Sequence, residues 1–89
     1  MYRIDFSRDA IAHLEALRKS MYPTYKKFAK LIEELKEHPY TGTGRPEQLR
    51  GYDNLWSRRL DKKNRLIYSV EESIVTVHVI SALGHYDDK

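Results

Sequence analysis

Residues 56–83 read WSRRLDKKNRLIYSVEESIVTVHVISAL, and the alternation within this stretch decides the fold. Trp56–Leu60, Arg65–Val70 and Ser73–Leu83 are short runs rich in β-branched and aromatic side chains, with Glu71 and Glu72 between the last two. Such a pattern predicts three successive strands of an antiparallel meander. Trp56 and Leu60 share one face of the first strand, and Leu66, Tyr68 and Val70 share one face of the second. Both apolar sets reach the core side when Leu60 pairs with Leu66, which leaves Lys62, Lys63 and Asn64 as the loop. Asn64 then occupies the left-handed position of that loop. This register sends Arg59 and Arg65 together to the opposite face and puts Arg58 on the core side, near its edge.

Upstream, the alternation in YRIDFS gives a first strand over residues 2–6, after which Ser7 can cap a helix. The stripe Ala10, Ile11, Leu14, Leu17 and Met21 predicts a helix with Asp9 at its positive end. Tyr22 precedes Pro23 and is biased toward extended geometry, so the helix breaks there and Pro23 opens a second one. That second helix packs through Tyr25, Phe28, Leu31, Ile32 and Leu35 and stops before His38-Pro39. The connection from His38 to Asn54 holds Gly42, Gly44 and Gly51 and predicts a brief strand or turn at Glu47–Leu49. Strand, helix hairpin, then strands is an α+β order: a largely antiparallel sheet with both helices on one face, in a single domain spanning 1–89.

The chain has 89 residues, no cysteine, and 16 Lys and Arg against 13 Asp and Glu. No disulfide or thiolate chemistry is available to it. Charges at Arg3, Asp5, Arg8 and Asp9 are unlike a signal peptide, and no apolar run approaches ~20 residues, so a soluble, cytoplasmic protein without membrane association is expected. Between Gly42 and Arg65 lie Arg45, Arg50, Arg58, Arg59, Lys62, Lys63 and Arg65 against Glu47, Asp53 and Asp61. Local basicity of this kind suits a polyanionic partner, and by charge alone it suits a solvated face equally. His13 and His38 form no metal-ligand spacing with another His or with acids, and His78, inside the last strand, reads as a hydrogen-bonded, at least half-buried residue, so neither a metal nor another cofactor is expected.

Cleaving RNA through its own 2′-hydroxyl needs a base, a cation for the charge developing on phosphate, and an acid for the departing 5′-oxygen. Glu47, Arg65 and His85 are residues of those types, drawn from the glycine-rich connection, the start of one strand and the end of another. Taken singly, each has an ordinary surface explanation.

Four motifs change that balance: GTGRPEQL at 42–49, WSRRL at 56–60, NRLIY at 64–68, and His85-Tyr86. Their order and spacing over the second half of the chain resemble the YoeB/Txe toxins of the RelE/ParE toxin–antitoxin superfamily. The first half matches only in its strand and helix-pair pattern. The resemblance implies a RelE-like, microbial-ribonuclease-type fold and a ribosome-dependent mRNA interferase, a metal-independent endoribonuclease that leaves a cyclic phosphate and a free 5′-hydroxyl. It implies Glu47 as general base, Arg65 as the phosphate-stabilising arginine, His85 as general acid and Tyr86 as the residue that shapes the site. It also implies Arg59, Arg45 and Arg50 as contacts to the RNA backbone. A YefM/Axe-like antitoxin, the ribosome with its mRNA, and a second copy of the chain are the partners it implies. A non-catalytic binder on the same scaffold, a gyrase inhibitor or an antitoxin-linked autoregulator, is the other reading, and it needs neither Glu47 nor the His85-Tyr86 pair. The family generally ends at or near that pair, whereas Asp87, Asp88 and Lys89 follow it here.

Overall fold

A computed structural model describes residues 1–83. The elements run β1 (Arg3–Phe6), α1 (Arg8–Ser20), α2 (Tyr22–Leu35), β2 (Glu47–Gln48), β3 (Trp56–Arg59), β4 (Arg65–Glu71) and β5 (Thr76–Ser81), with a 3₁₀ turn at Glu72–Ile74. They form one five-stranded sheet in the order β1-β5-β4-β3-β2. β1 pairs with β5 in parallel, and every other pairing is antiparallel.

Ser7 starts α1 as its pattern predicts, its hydroxyl oxygen accepting from the Ala10 N–H at 3.0 Å. The buried side of α1 is narrower than the apolar stripe. Ala10 and Leu17 are buried, but Ile11 and Met21 are exposed. Ile11 is about 100° round the helix from Ala10 and falls outside the seam. The break between the helices also comes one residue earlier than expected, at Met21 (φ −141°, ψ 62°), with Tyr22 already helical ahead of Pro23. Met21 ends one helix and begins the next, and its N–H still donates to the Leu17 carbonyl at 2.8 Å. From α2, Phe28, Leu31, Ile32 and Leu35 meet Leu66, Tyr68, Val70, Val77 and Val79 of the sheet in a single core. Burying several such side chains at ~1.5–3 kcal/mol each is the main stabilising term of so small a domain.

The β3–β4 hairpin keeps the expected faces but not the expected pairs. Arg58 stands opposite Leu66 and Arg59 opposite Arg65, so Leu60 closes the hairpin against Asn64, its N–H donating to the Asn64 carbonyl at 3.0 Å. The slip is two residues, which preserves every facing because side chains alternate with period two. Asp61 accounts for it. Its carboxylate accepts from the N–H groups of Lys63 and Asn64 at 2.8 and 2.7 Å and from the Asn64 amide at 3.0 Å, a local turn stronger than a left-handed Asn64. Asn64 is absent from the positive-φ residues, which outside glycine are Arg45, Asn54 and Val75. β5 begins at Thr76 rather than Ser73, since the 3₁₀ turn and left-handed Val75 (φ 50°) take up the intervening residues.

Partial burial alone would raise the Asp61 carboxyl, but the bonds from Asn64 and Lys63 and one from the Thr24 hydroxyl outweigh it and hold it at about 2. A depressed carboxyl stabilises the fold above its unfolded value, and that contribution, ~2 kcal/mol, is lost as pH falls toward 2. Asp61→Ala is therefore expected to melt well below the parent at pH 7, with the gap closing in melts repeated toward pH 2. A gap independent of pH would remove Asp61 from this role.

Candidate active site

Cross-strand partners present side chains on the same face. Glu47 pairs with Ser57, Ser57 with Ile67 and Arg59 with Arg65, so Glu47, Arg59 and Arg65 all lie on the face opposite Leu66, Tyr68 and Val70. Both helices pack on the other side, and this face is the one they leave uncovered. Arg45, Pro46, Glu47 and Arg59 line a cleft of about 230 Å³. Arg65 is half-buried beside it as the cross-strand partner of Arg59. Arg50 is exposed in the turn that follows β2 and is not among the cleft-lining residues. His85 and Tyr86 lie outside the described residues. The last described segment is anchored by α1, because the Ala82 N–H donates to His13 Nδ1 at 3.1 Å.

Among the described residues, Glu47, Arg45, Arg59 and Arg65 have no ion-pair partner. Three guanidinium groups stand against one carboxylate, an excess of two positive charges. Arg59 directly opposite Arg65 is a like-charge pair, an arrangement that costs a few tenths of a kcal/mol in a sheet. A dianionic or polyanionic ligand relieves that repulsion. Arg59→Ala is accordingly expected to raise the melting temperature slightly while weakening binding of a polyanion and flattening its dependence on salt by about one unit of slope. Equal salt slopes for parent and variant would mean that Arg59 does not touch the polyanion.

The approach to Glu47 is set by the loop before it. Gly42 and Gly44 have φ of +124° and +86°, and a Cβ at Gly44 would come within 3.0 Å of the Arg59 carbonyl oxygen. Only glycine allows this closeness, and with it the Arg59 N–H donates to the Gly44 carbonyl at 2.6 Å. Arg45 follows in the left-handed region at φ 54°, an uncommon conformation for a residue with a side chain.

Arg58, expected near the rim of the core, is instead wholly buried. All five of its N–H donors are used. Nε bonds the Tyr68 hydroxyl at 3.2 Å, and Nη1 bonds Glu34 Oε1 at 2.7 Å and the Thr43 carbonyl at 3.3 Å. Nη2 bonds the carbonyls of Thr41, at 2.8 Å, and His38. Glu34 in turn accepts from the N–H and hydroxyl of Thr43 at 2.8 and 2.5 Å. Desolvation pushes the Glu34 carboxyl up, but Thr43 and Arg58 together bring it below its ordinary value. Burial raises the Tyr68 hydroxyl, with Arg58 opposing. Neither the Glu34 partnership nor the burial of Arg58 was legible in the local pattern. The available signal was an arginine at a core-facing strand position, which demands a carboxylate partner somewhere in the chain.

Trp56 is half-buried against the core and tilts against Tyr40 with ring centroids 5.1 Å apart, consistent with packing. Burial and a hydrogen bond to Glu72 push the Tyr40 hydroxyl up to about 12. His78 is half-buried, with Nε2 2.8 Å from Glu71 Oε1. Among the described residues no group of three His, Cys, Asp or Glu is placed to hold a metal ion.

Residues 6–86 match the family model described as the YoeB-like toxin of bacterial type II toxin–antitoxin systems. The chain belongs to the YoeB toxin family. It is 35% identical over 91 residues to the toxin YoeB of Mycobacterium bovis, covering 97% of this chain and 100% of that one. Among solved structures, the YoeB/ParE toxin from Agrobacterium tumefaciens superposes with a TM-score of 0.88 at 28% identity, covering 94% of this chain and 99% of that one. The Staphylococcus aureus YoeB, solved as a dimer, gives a TM-score of 0.85 at 25% identity over 96% of this chain and 98% of that one. In its complex with YefM the values are 0.81 and 25% over 97% and 99%. The two-helix, five-strand mixed architecture is thus the YoeB/RelE fold. The arginine pair of WSRRL divides between the two faces of β3: Arg58 inward to Glu34, Arg59 outward to the cleft.

Proposed function

We propose that this YoeB-family toxin is a ribosome-dependent mRNA endoribonuclease that works without a metal. One observation carries the reading: Glu47, Arg59 and Arg65 share the helix-free face with no ion-pair partner of their own among the described residues. An extended strand of RNA can lie along such a face with its phosphates toward the arginines.

In this mechanism Glu47 takes the proton of a 2′-hydroxyl, and the 2′-oxygen attacks the adjacent phosphorus. Arg65 and Arg59 stabilise the charge that builds on the phosphoryl oxygens. The bond from phosphorus to the 5′-oxygen breaks, His85 supplies that oxygen with a proton, and the products are a 2′,3′-cyclic phosphate and a 5′-hydroxyl. Tyr86 shapes the site, while Arg45 and Arg50 contact the RNA backbone. Supplying no nucleophile of its own, the protein contributes proton transfer, charge and position.

By likeness to the Staphylococcus aureus YoeB, solved with YefM and as a dimer, the chain pairs with a YefM/Axe-like antitoxin and with itself. An acidic antitoxin segment would neutralise Arg59 and Arg65. Action on the ribosome places the protein in the cytoplasm. No helix among the described residues is long and apolar enough to cross a membrane.

The test is incubation of the purified protein with ribosomes and mRNA, followed by mapping of the cut ends. Cleavage that needs ribosomes and leaves cyclic phosphate with 5′-hydroxyl ends is the expected result. Intact mRNA at high concentration of verifiably folded protein would favour a non-catalytic binder on the same scaffold.

A further inference from the structure

Arg58 has no exposed surface, yet its guanidinium holds three carbonyls of the preceding loop. Its two terminal nitrogens bond the carbonyls of His38, Thr41 and Thr43, and its partner Glu34 bonds the N–H and hydroxyl of Thr43. The loop from His38 to Gly44 is thereby wrapped around one ion pair. Gly42 is part of the fit, since a Cβ there would meet Glu34 Oε1 at 2.3 Å and Arg58 Nη1 at 3.2 Å. The residues that follow this loop directly are Arg45, Pro46 and Glu47, three of the four that line the cleft. The fourth is Arg59, the next residue after Arg58.

Those bonds are more than the fold requires of an arginine. A buried ion pair contributes little net stability, and an apolar pair of similar volume fills such a site as well. What an apolar pair cannot do is bind three carbonyl oxygens at fixed angles, the planar fork being the property that distinguishes arginine from lysine. We propose that Arg58, together with Glu34, is the positioning device of the active site, holding loop 38–44 in the one shape that delivers Glu47 to the cleft opposite Arg59. The inference rests on the assignment of Glu47 as the general base. Arg58 touches no substrate and acts only through the loop.

Two variants test it. Arg58→Lys keeps the charge and loses the fork; Thr43→Val removes the loop hydroxyl from Glu34 at an exposed position, without disturbing the core. Two measurements apply to each: kcat and KM for mRNA cleavage on ribosomes, in the parent and in a Glu47→Gln background, and amide hydrogen exchange at Thr43 and Arg59 against Val77 and Val79. For Arg58→Lys the expected result is kcat lower by ~10-fold or more with KM within twofold, a magnitude typical of sub-ångström to ångström misplacement. In the Glu47→Gln background the same change should cost less than twofold, because the group it positions is already disabled. Exchange should accelerate at Thr43 and Arg59 in both variants while Val77 and Val79 stay protected. An equal loss of kcat in both backgrounds, unchanged loop exchange, or loop and core exchange rising together would each overturn the proposal. Full activity of Glu47→Gln alone would refute the base assignment instead, and the exchange measurement would then still decide whether Arg58 holds the loop.

Discussion

Glu47→Ala is expected to lower kcat for mRNA cleavage by ~10²–10⁴-fold, the range for removing a positioned acid or base. Arg65→Ala is expected to lower it by ~10²–10³-fold, as for one lost contact to a developing oxyanion. The melting temperature should barely move for Glu47→Ala. Glu47 is exposed and has no ion-pair partner among the described residues, and surface changes of that kind stay within about 0.5 kcal/mol. For a domain of this size that is a shift of about 2–4 °C. The combination of a large rate loss with an intact fold is the signature of a working residue. It contrasts with Arg58→Lys, whose effect on rate comes through the loop and vanishes once Glu47 is disabled. Parent-like cleavage by both Glu47→Ala and Arg65→Ala would end the proposed mechanism.

Glu34→Ala should have the largest effect on stability, a loss of ~3–5 kcal/mol. The Glu34 side chain is 25% exposed but that of Arg58 is fully buried, so removing the carboxylate strands a guanidinium where water cannot reach it. Against a total stability of ~5–15 kcal/mol for a typical domain, this is enough to bring the variant close to unfolding at 37 °C. Glu34→Gln retains an acceptor for Arg58 and should cost roughly half as much. The pair also predicts an acid limb. With the Glu34 carboxyl held below its ordinary value, its stabilisation is full above the unfolded value near ~4.3 and is lost as pH falls through the folded one. Chemical denaturation at pH 7 and pH 4 should therefore show the gap between parent and Glu34→Gln narrowing at the lower pH. A Glu34→Ala protein as stable as the parent would mean that Arg58 is neutralised by other means.

The second half of the chain explains why much of this was legible beforehand. Alternation in WSRRL and RLIYSV assigns Arg59 and Arg65 to the same outer face under any pairing that keeps the apolar residues inward. The facing therefore survived a two-residue error in register. The error itself came from the turn, where a predicted left-handed Asn64 lost to the hydrogen bonds of the Asp61 carboxylate. In α1, periodicity identified the helix but overstated its buried width, because Ile11 belongs to the apolar stripe and not to the seam.

Local sequence by itself determined the elements, the α+β order, the side of the sheet on which each strand residue falls, and the motifs that point to the YoeB family. These properties follow from backbone geometry over a few residues, where neighbours in the chain are neighbours in space. Tertiary structure alone decided that Glu47 and Arg59 line one cleft, and that the inward-facing Arg58 pairs with Glu34 and gathers the glycine loop around itself. Both depend on partners from distant parts of the chain. A buried charge is tolerated only where the whole fold provides its counter-charge and acceptors, and no local pattern carries that information.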